Sequence, residues 1–100
     1  MSRTPTLEEI RKRLRDLAPL LAERYHVESI ALFGSYVRGE QRPDSDLDVL
    51  VTFRRTPSLL QFLALEHYLS DTLGVKVDLV MRSGLKPRIG ARILREAIPV

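Results

Sequence analysis

Residues 32–51 read LFGSYVRGEQRPDSDLDVLV, the most informative stretch of the chain. An apolar run ends at Gly34-Ser35, and residues 36–45 are rich in charges and turn formers. The next apolar run opens on two aspartates, Asp46 and Asp48. Ordinary packing does not require that combination. A phosphate-binding turn followed by a carboxylate pair for a divalent metal does.

The two aspartates predict a site for Mg²⁺. Residues i and i+2 of a strand point to the same face, so the Cα atoms of Asp46 and Asp48 lie about 7 Å apart on one face. Adjacent carboxylates repel, and the pKa of one rises unless a cation lies between them. Mg²⁺ could be that cation, because proteins usually bind it through one or two carboxylates together with substrate phosphates.

A third carboxylate is predicted from a distant strand. Asp78 is the acid of the run 75–81, and strand parity places it on the face opposite Val77 and Leu79. If that strand neighbours the one carrying Asp48, three carboxylates converge on one open face of the sheet. Such a face suits a two-metal site, which stabilises both the attacking and the leaving oxygen.

The Gly-Ser turn predicts contacts to phosphate. Backbone N–H groups at the start of a helical turn bind anions, and Gly34 would let the backbone come close to the ligand. The hydroxyl of Ser35 could donate to a phosphate oxygen, and Arg38 could pair with phosphates as a bidentate donor.

Each feature also has a purely structural interpretation. Gly34-Ser35 could be only a turn, Asp46 and Asp48 could be solvated, and Asp78 could be an edge-strand charge that discourages aggregation. Arg38 could be a plain surface charge. The conjunction of these features at fixed spacing favours the functional interpretation.

The remaining chain predicts helices at both ends and between strands. A capping box at Thr6 begins a helix that is kinked or restarted at Pro19 and ends near Tyr25. A helix from Thr56-Pro57 to Gly74 has Leu59, Phe62, Leu63, Leu69 and Leu73 inward, with Leu60 and Leu65 as surplus apolar surface for a partner or a broad core contact. A last basic helix, 87–97, has Ile89, Ile93 and Leu94 inward.

These elements predict an α/β (α+β) domain with a small mixed three-stranded sheet covered by helices. The strands are 28–33, 47–53 and 75–81. A short connection favours an antiparallel first pair, and the helix between the second and third strands favours a parallel crossover. Residues 1–100 are expected to form one domain.

Composition narrows the class of protein. Hydrophobic residues make up 44% and charged residues 29% of the chain, as in water-soluble globular proteins. No apolar run approaches a membrane span, and MSRTPTLEEIRKRL does not resemble a secretory signal. There is no Cys, and a cytoplasmic location is expected. The net charge of +3 is too small and too spread to indicate direct nucleic-acid binding.

The stretch GSYVRGEQRPDSDLDVLV resembles the minimal nucleotidyltransferases of the DNA polymerase β-like superfamily, in which ten residues separate Gly-Ser from Asp-x-Asp. Asp78, in VDLV, lies where that family has its third carboxylate. The resemblance covers essentially the whole chain and implies a polymerase β palm-like fold and two Mg²⁺ ions. It also implies attack of an acceptor hydroxyl on the α-phosphate of a nucleoside triphosphate. Asp46 and Asp48 would bind metal, and Asp78 would complete the site and act as, or help position, the base.

Chains of this size resemble antitoxins of HEPN/MNT toxin–antitoxin systems. That resemblance implies ATP as substrate, a HEPN ribonuclease toxin as partner in a complex, and one of its tyrosines as the AMP acceptor. The sequence leaves two alternatives open. The acceptor could be a small molecule or RNA held by another subunit, or the chain could be a non-catalytic antitoxin that only occludes its partner.

Overall fold

The computed structural model describes residues 4–100. Four helices, one 3-10 turn and four strands follow one another along the chain. In order they are α1 (Leu7–Tyr25), β1 (Val27–Phe33), α2 (Ser35–Arg38), β2 (Leu47–Phe53), α3 (Leu59–Leu73), β3 (Val77–Met81), the 3-10 turn Arg82–Gly84, α4 (Pro87–Glu96) and β4 (Ile98–Pro99).

The strands form one mixed sheet in the order β3-β2-β1-β4. The pair β1–β2 is antiparallel and the pair β2–β3 is parallel, as the connection lengths predict. The prediction of three strands is wrong, because β4 adds a fourth by pairing antiparallel with Ala31 and Leu32 of β1. A two-residue edge strand that contains proline has no alternating pattern by which a sequence could reveal it.

One face of the sheet carries the main core. Leu47, Val49 and Val51 of β2 are fully buried there, in one cluster with apolar side chains of α1 and α3. The alternation along β2 therefore turns Asp48 to the other face, away from this core. Leu50 follows Asp48 on that second face and is 4% exposed, so only the start of this face of β2 is left for chemistry.

Helix starts and ends follow local signals with one exception. The Thr6 hydroxyl accepts from the Glu9 amide at 3.1 Å and caps α1, which runs through Pro19 to Tyr25 without restarting. Helix α3 does not start at Thr56-Pro57. It begins at Leu59, because Ser58 and Gln61 form a reciprocal capping box.

The predicted apolar faces of α3 and α4 are partly wrong. Leu65, predicted as surplus surface, is fully buried in the core, whereas Leu59 and Leu63, predicted to face inward, are 72% and 39% exposed. Leu60 is 79% exposed, which agrees with its predicted place off the inner stripe. On α4, Ile89 and Leu94 are 58% and 44% exposed and do not point inward. Helix α3 has leucines on more than one of its faces, so hydrophobic periodicity alone does not identify the face that packs on the sheet.

No helix within residues 4–100 is both long enough and apolar enough to span a lipid bilayer.

Candidate active site

The sheet register brings two of the predicted aspartates together. Asp48 on β2 lies opposite Phe33 of β1 on one side and is paired with Asp78 of β3 on the other. Neighbouring strands are about 4.8 Å apart, so the two carboxylates are close neighbours. Asp46 lies one residue before β2 and is half-buried. The carboxylates thus come from two strands and from the loop that leads into one of them.

Burial and mutual repulsion disfavour the ionised carboxylates. Burial, then Asp78 and then Asp46 raise the pKa of Asp48 from 3.8 to about 6. Burial and the neighbouring charges of Glu66 and Asp46 also raise the pKa of Asp78. Glu66 of α3 is held in place because its Oε2 accepts from the Leu79 amide at 2.9 Å. A cation at this site would relieve the repulsion.

The donor set fits Mg²⁺ when phosphate completes it. Among residues 4–100, no group of three or more His, Cys, Asp or Glu side chains is arranged to hold a metal ion. Mg²⁺ is usually held by only one or two carboxylates together with substrate phosphates, so it needs no such group. Asp48 and its acidic neighbours supply that partial set. The three-carboxylate metal site stays a prediction.

The metal-free protein is expected to gain stability from Asp48 as the pH falls from about 7 to about 4. The pKa of Asp48 is about 6 in the folded protein, above its ordinary value of 3.8, so the folded state takes up the proton first as the pH falls. Ionisation of Asp48 therefore destabilises the fold above pH 6, and protonation relieves this. Because the side chain is only half-buried, we expect a gain of about 1 kcal/mol.

Urea unfolding with a chelator at pH 7 and pH 5, on wild type and Asp48→Asn, measures this contribution. Other groups titrate in both proteins, so the difference between the two pH dependences isolates Asp48. Identical pH dependences would contradict the raised pKa.

Gly34 lies directly against the Asp48 carboxylate. It is buried, it precedes α2, and its backbone angles are φ 82° and ψ −154°. A Cβ atom added at this position would lie 2.0 Å from Asp48 Oδ2. Glycine is required here for two reasons: other residues rarely adopt this backbone conformation, and the Asp48 carboxylate occupies the space of a side chain. The turn and the aspartate therefore form one structural unit.

The turn at Gly34-Ser35 has two backbone amides that could donate to an anion. Helix α2 starts at Ser35, and the Gly34 carbonyl accepts from the amides of Val37 and Arg38, both at 3.1 Å. In the part of the chain that the structure describes, the amides of Ser35 and Tyr36 have no acceptor. The nucleotide-binding roles of Gly34 and Ser35 stay predictions that this geometry permits.

Arg38 is already paired with carboxylates. Its Nη1 contacts Glu96 Oε1 at 2.5 Å, and its Nε contacts Glu40 Oε2 at 3.2 Å. These two hydrogen bonds raise the pKa of the guanidinium above its usual value. Arg38 thus has a structural role that the sequence did not reveal.

A cleft of 290 Å³, here named the α4 cleft, opens beside Gly34 and Asp48. Its walls include Gly34, Arg38 and Asp48 on one side and Ile89, Arg92 and Glu96 of α4 on the other. The contributions of α4 were missed from the sequence. The sequence of α4 contains no local pattern that indicates that this helix packs over the end of β1.

Asp46 does not line the α4 cleft. It lines a separate hollow of 330 Å³ that also includes Ser45 and Lys76. A larger groove of 640 Å³ runs between α1 and β1, and none of the six predicted site residues lines it. The α4 cleft is therefore the hollow where Gly34 and the Asp48 carboxylate meet.

A match to a known protein family decides the class of protein. The nucleotidyltransferase domain family matches residues 7–100. The chain belongs to this nucleotidyltransferase family. The site described above is thus the candidate active site of a nucleotidyltransferase, as the Gly-Ser and Asp-x-Asp resemblance predicts.

Relatives of this nucleotidyltransferase agree with that family. The protein adenylyltransferase MntA of Thermococcus cleftensis is 53% identical over 95 residues, which are 95% of this chain and 96% of that protein. A solved structure described as a minimal nucleotidyltransferase is 42% identical, with a TM-score of 0.84, and the match covers 99% of this chain and 100% of that one.

A solved toxin–antitoxin structure with AMP-PNP is also similar to this nucleotidyltransferase. It is 26% identical with a TM-score of 0.73, and the match covers 85% of this chain and 69% of that chain. The fold prediction, a small mixed sheet with the minimal nucleotidyltransferase architecture, is confirmed except for the number of strands.

Proposed function

We propose that this nucleotidyltransferase is a protein adenylyltransferase that moves AMP from ATP to a tyrosine hydroxyl of a HEPN ribonuclease toxin. Adding AMP would silence the toxin, so the chain would act as an antitoxin. The main observation behind this proposal is the arrangement of Gly34, Asp48 and Asp78. Gly34 lies directly against the Asp48 carboxylate, and Asp78 is paired with Asp48 on the neighbouring strand.

Asp78 and the amides that follow Gly34 can each be given a role in the reaction. The acceptor hydroxyl attacks the α-phosphate, the bond to the β-phosphate breaks, and pyrophosphate leaves. Asp78 would take or orient the hydroxyl proton, because a raised pKa makes a carboxylate a better base. The amides of Ser35 and Tyr36 would donate to phosphate oxygens.

Asp46 and Asp48, with Asp78, would hold Mg²⁺ together with the triphosphate. When bound, the metal would offset the charge of the phosphates and of the leaving pyrophosphate. Without that cation, the repulsion that raises the pKa of Asp48 would also oppose the approach of an anionic substrate. The residues therefore favour metal and nucleotide binding together.

The choice of AMP and of a protein acceptor is supported by the relatives. The relative from Thermococcus cleftensis carries the name protein adenylyltransferase and matches this chain over almost its whole length. The toxin–antitoxin structure holds AMP-PNP, an ATP analogue. We propose that residues 1–100 act in the cytoplasm as one minimal nucleotidyltransferase domain in complex with the toxin, which presents the acceptor.

Incubation with the toxin tests this proposal. We expect the purified chain, Mg²⁺ and ATP labelled at the α-phosphate to label a HEPN toxin and to abolish its ribonuclease activity. Label at the γ-phosphate should not transfer, which separates adenylylation from phosphorylation. Replacing the toxin's acceptor tyrosine by phenylalanine should remove the label.

Three outcomes would contradict parts of the proposal. Equal labelling by Asp46→Ala would exclude catalysis by this site. Inhibition of the ribonuclease without label would indicate a binding antitoxin. Label found on RNA or on a small molecule, and not on the toxin, would move the acceptor to a different class.

A further inference from the structure

The cations of the α4 cleft differ in what they already bind. Arg38 is placed between two carboxylates, those of Glu96 and Glu40. Arg92 lines the same cleft from α4, and its side chain makes no hydrogen bond or ion pair with any of residues 4–100. The two arginines therefore offer very different amounts of free positive charge to an incoming anion.

Arg38 is poorly suited to bind a triphosphate. A phosphate would have to displace Glu96 from a contact of 2.5 Å, or else approach a guanidinium whose charge two carboxylates already offset. The Arg38–Glu96 ion pair has a structural role instead. It joins α2 to the last residue of α4 and so holds α4 over the cleft.

Arg92 has the position and the freedom that Arg38 lacks. It lies four residues before Glu96 on α4, which puts both side chains on one face of the helix. Glu96 is already paired with Arg38 and leaves Arg92 unneutralised.

We propose that Arg92 binds the triphosphate of the nucleotide in the α4 cleft, and that Arg38 acts by positioning α4. This inference rests on the proposed nucleotidyl transfer at that site. A planar guanidinium with free donors matches two phosphate oxygens at once. The acidic floor at Asp48 would face the metal and the α-phosphate, while Arg92 on the opposite wall would face the outer phosphates.

Equilibrium binding tests the role of Arg92 without requiring turnover. We expect Arg92→Gln to raise the Kd for a non-hydrolysable ATP analogue with Mg²⁺, and for inorganic tripolyphosphate, by about tenfold in calorimetric titrations. Arg92→Lys should give an intermediate Kd, because it restores the charge but not the bidentate contact.

Arg88→Gln and Arg95→Gln are matched controls. Both arginines are exposed on the same helix, and neither lines the α4 cleft. Each control removes the same charge and should change either Kd by less than about twofold. Circular dichroism melting of every variant excludes loss of fold as the cause.

The outcomes separate this inference from the proposed function. The role of Arg92 would be overturned if Arg92→Gln bound nucleotide as tightly as wild type. It would also be overturned if Arg92→Gln raised the Kd only as much as the control substitutions do. Arg92-dependent binding without labelling of any toxin would support this inference and contradict the proposed acceptor. Failure of wild type to bind either probe would overturn both.

Discussion

Asp48→Asn is expected to lower AMP transfer about 10³-fold and, without metal at pH 7, to stabilise the fold by about 1 kcal/mol. The loss of rate follows because the amide keeps the shape of the side chain but removes a charged ligand, and metal assistance of this kind is worth several kcal/mol. The gain in stability follows because the amide removes a carboxylate whose pKa burial, Asp78 and Asp46 have raised.

Opposite effects on rate and on stability distinguish a functional carboxylate from a structural one. Single-turnover labelling with saturating ATP measures the rate, and urea unfolding with a chelator measures the free energy of unfolding. Asp71→Asn is the matched control, since Asp71 is exposed on α3 and lines none of the hollows described above. It should change neither quantity appreciably. Destabilisation by Asp48→Asn would instead assign the carboxylate to the support of the fold.

The predictable part of this protein is local. The alternation of Leu47, Val49 and Val51 gives the bounds of β2 as the structure has them, and the lengths of the connections give both strand pairings. That Asp78 and Asp48 share one face was predicted on the condition that their strands are neighbours, and the parallel register pairs the two residues. Such inferences succeed because the period of a strand and the reach of a loop depend on few residues.

The unpredicted part depends on how distant elements pack. Arg92 and Glu96 reach the cleft only because α4 lies over the end of β1. The sequence predicts Arg38 as a phosphate ligand, and spacing gives no sign of its pairing with Glu96, 58 positions away. On α3, Leu65 is buried and Leu59 exposed because the sheet selects one of two apolar stripes. Tertiary packing decides all three.

Gly34→Ala is expected to destabilise the fold by about 3 kcal/mol and to lower AMP transfer at least 100-fold. Backbone angles of φ 82° and ψ −154° belong to a region that is essentially restricted to glycine and strained for alanine by about 1–3 kcal/mol. The added Cβ would also lie 2.0 Å from Asp48 Oδ2 and displace it. A displacement of about 1 Å at a reacting centre can lower a rate about 100-fold.

Gly39→Ala separates these effects. Gly39 also has a positive φ, 73°, but a Cβ there would meet no atom within 4 Å. We expect a loss of about 1 kcal/mol from the left-handed conformation alone, with transfer retained. Chemical denaturation and labelling assays on both variants provide the comparison. Equal effects of the two substitutions would mean that contact with Asp48 is not what requires glycine at position 34.

A double-mutant cycle tests whether Gly34 and Asp48 form one unit. In an Asp48→Ala background, the Oδ2 and Cγ atoms that lie 2.0 and 2.9 Å from the added Cβ are gone, and the remaining Cβ lies 3.2 Å away. We therefore expect the destabilisation by Gly34→Ala to fall by at least about 1 kcal/mol there, leaving mainly backbone strain. An unchanged penalty would show that the backbone alone selects the glycine. A reduced penalty would mean that Gly-Ser and Asp-x-Asp, separated by residues 36–45 in the sequence, are kept together because the carboxylate occupies the space of the missing side chain.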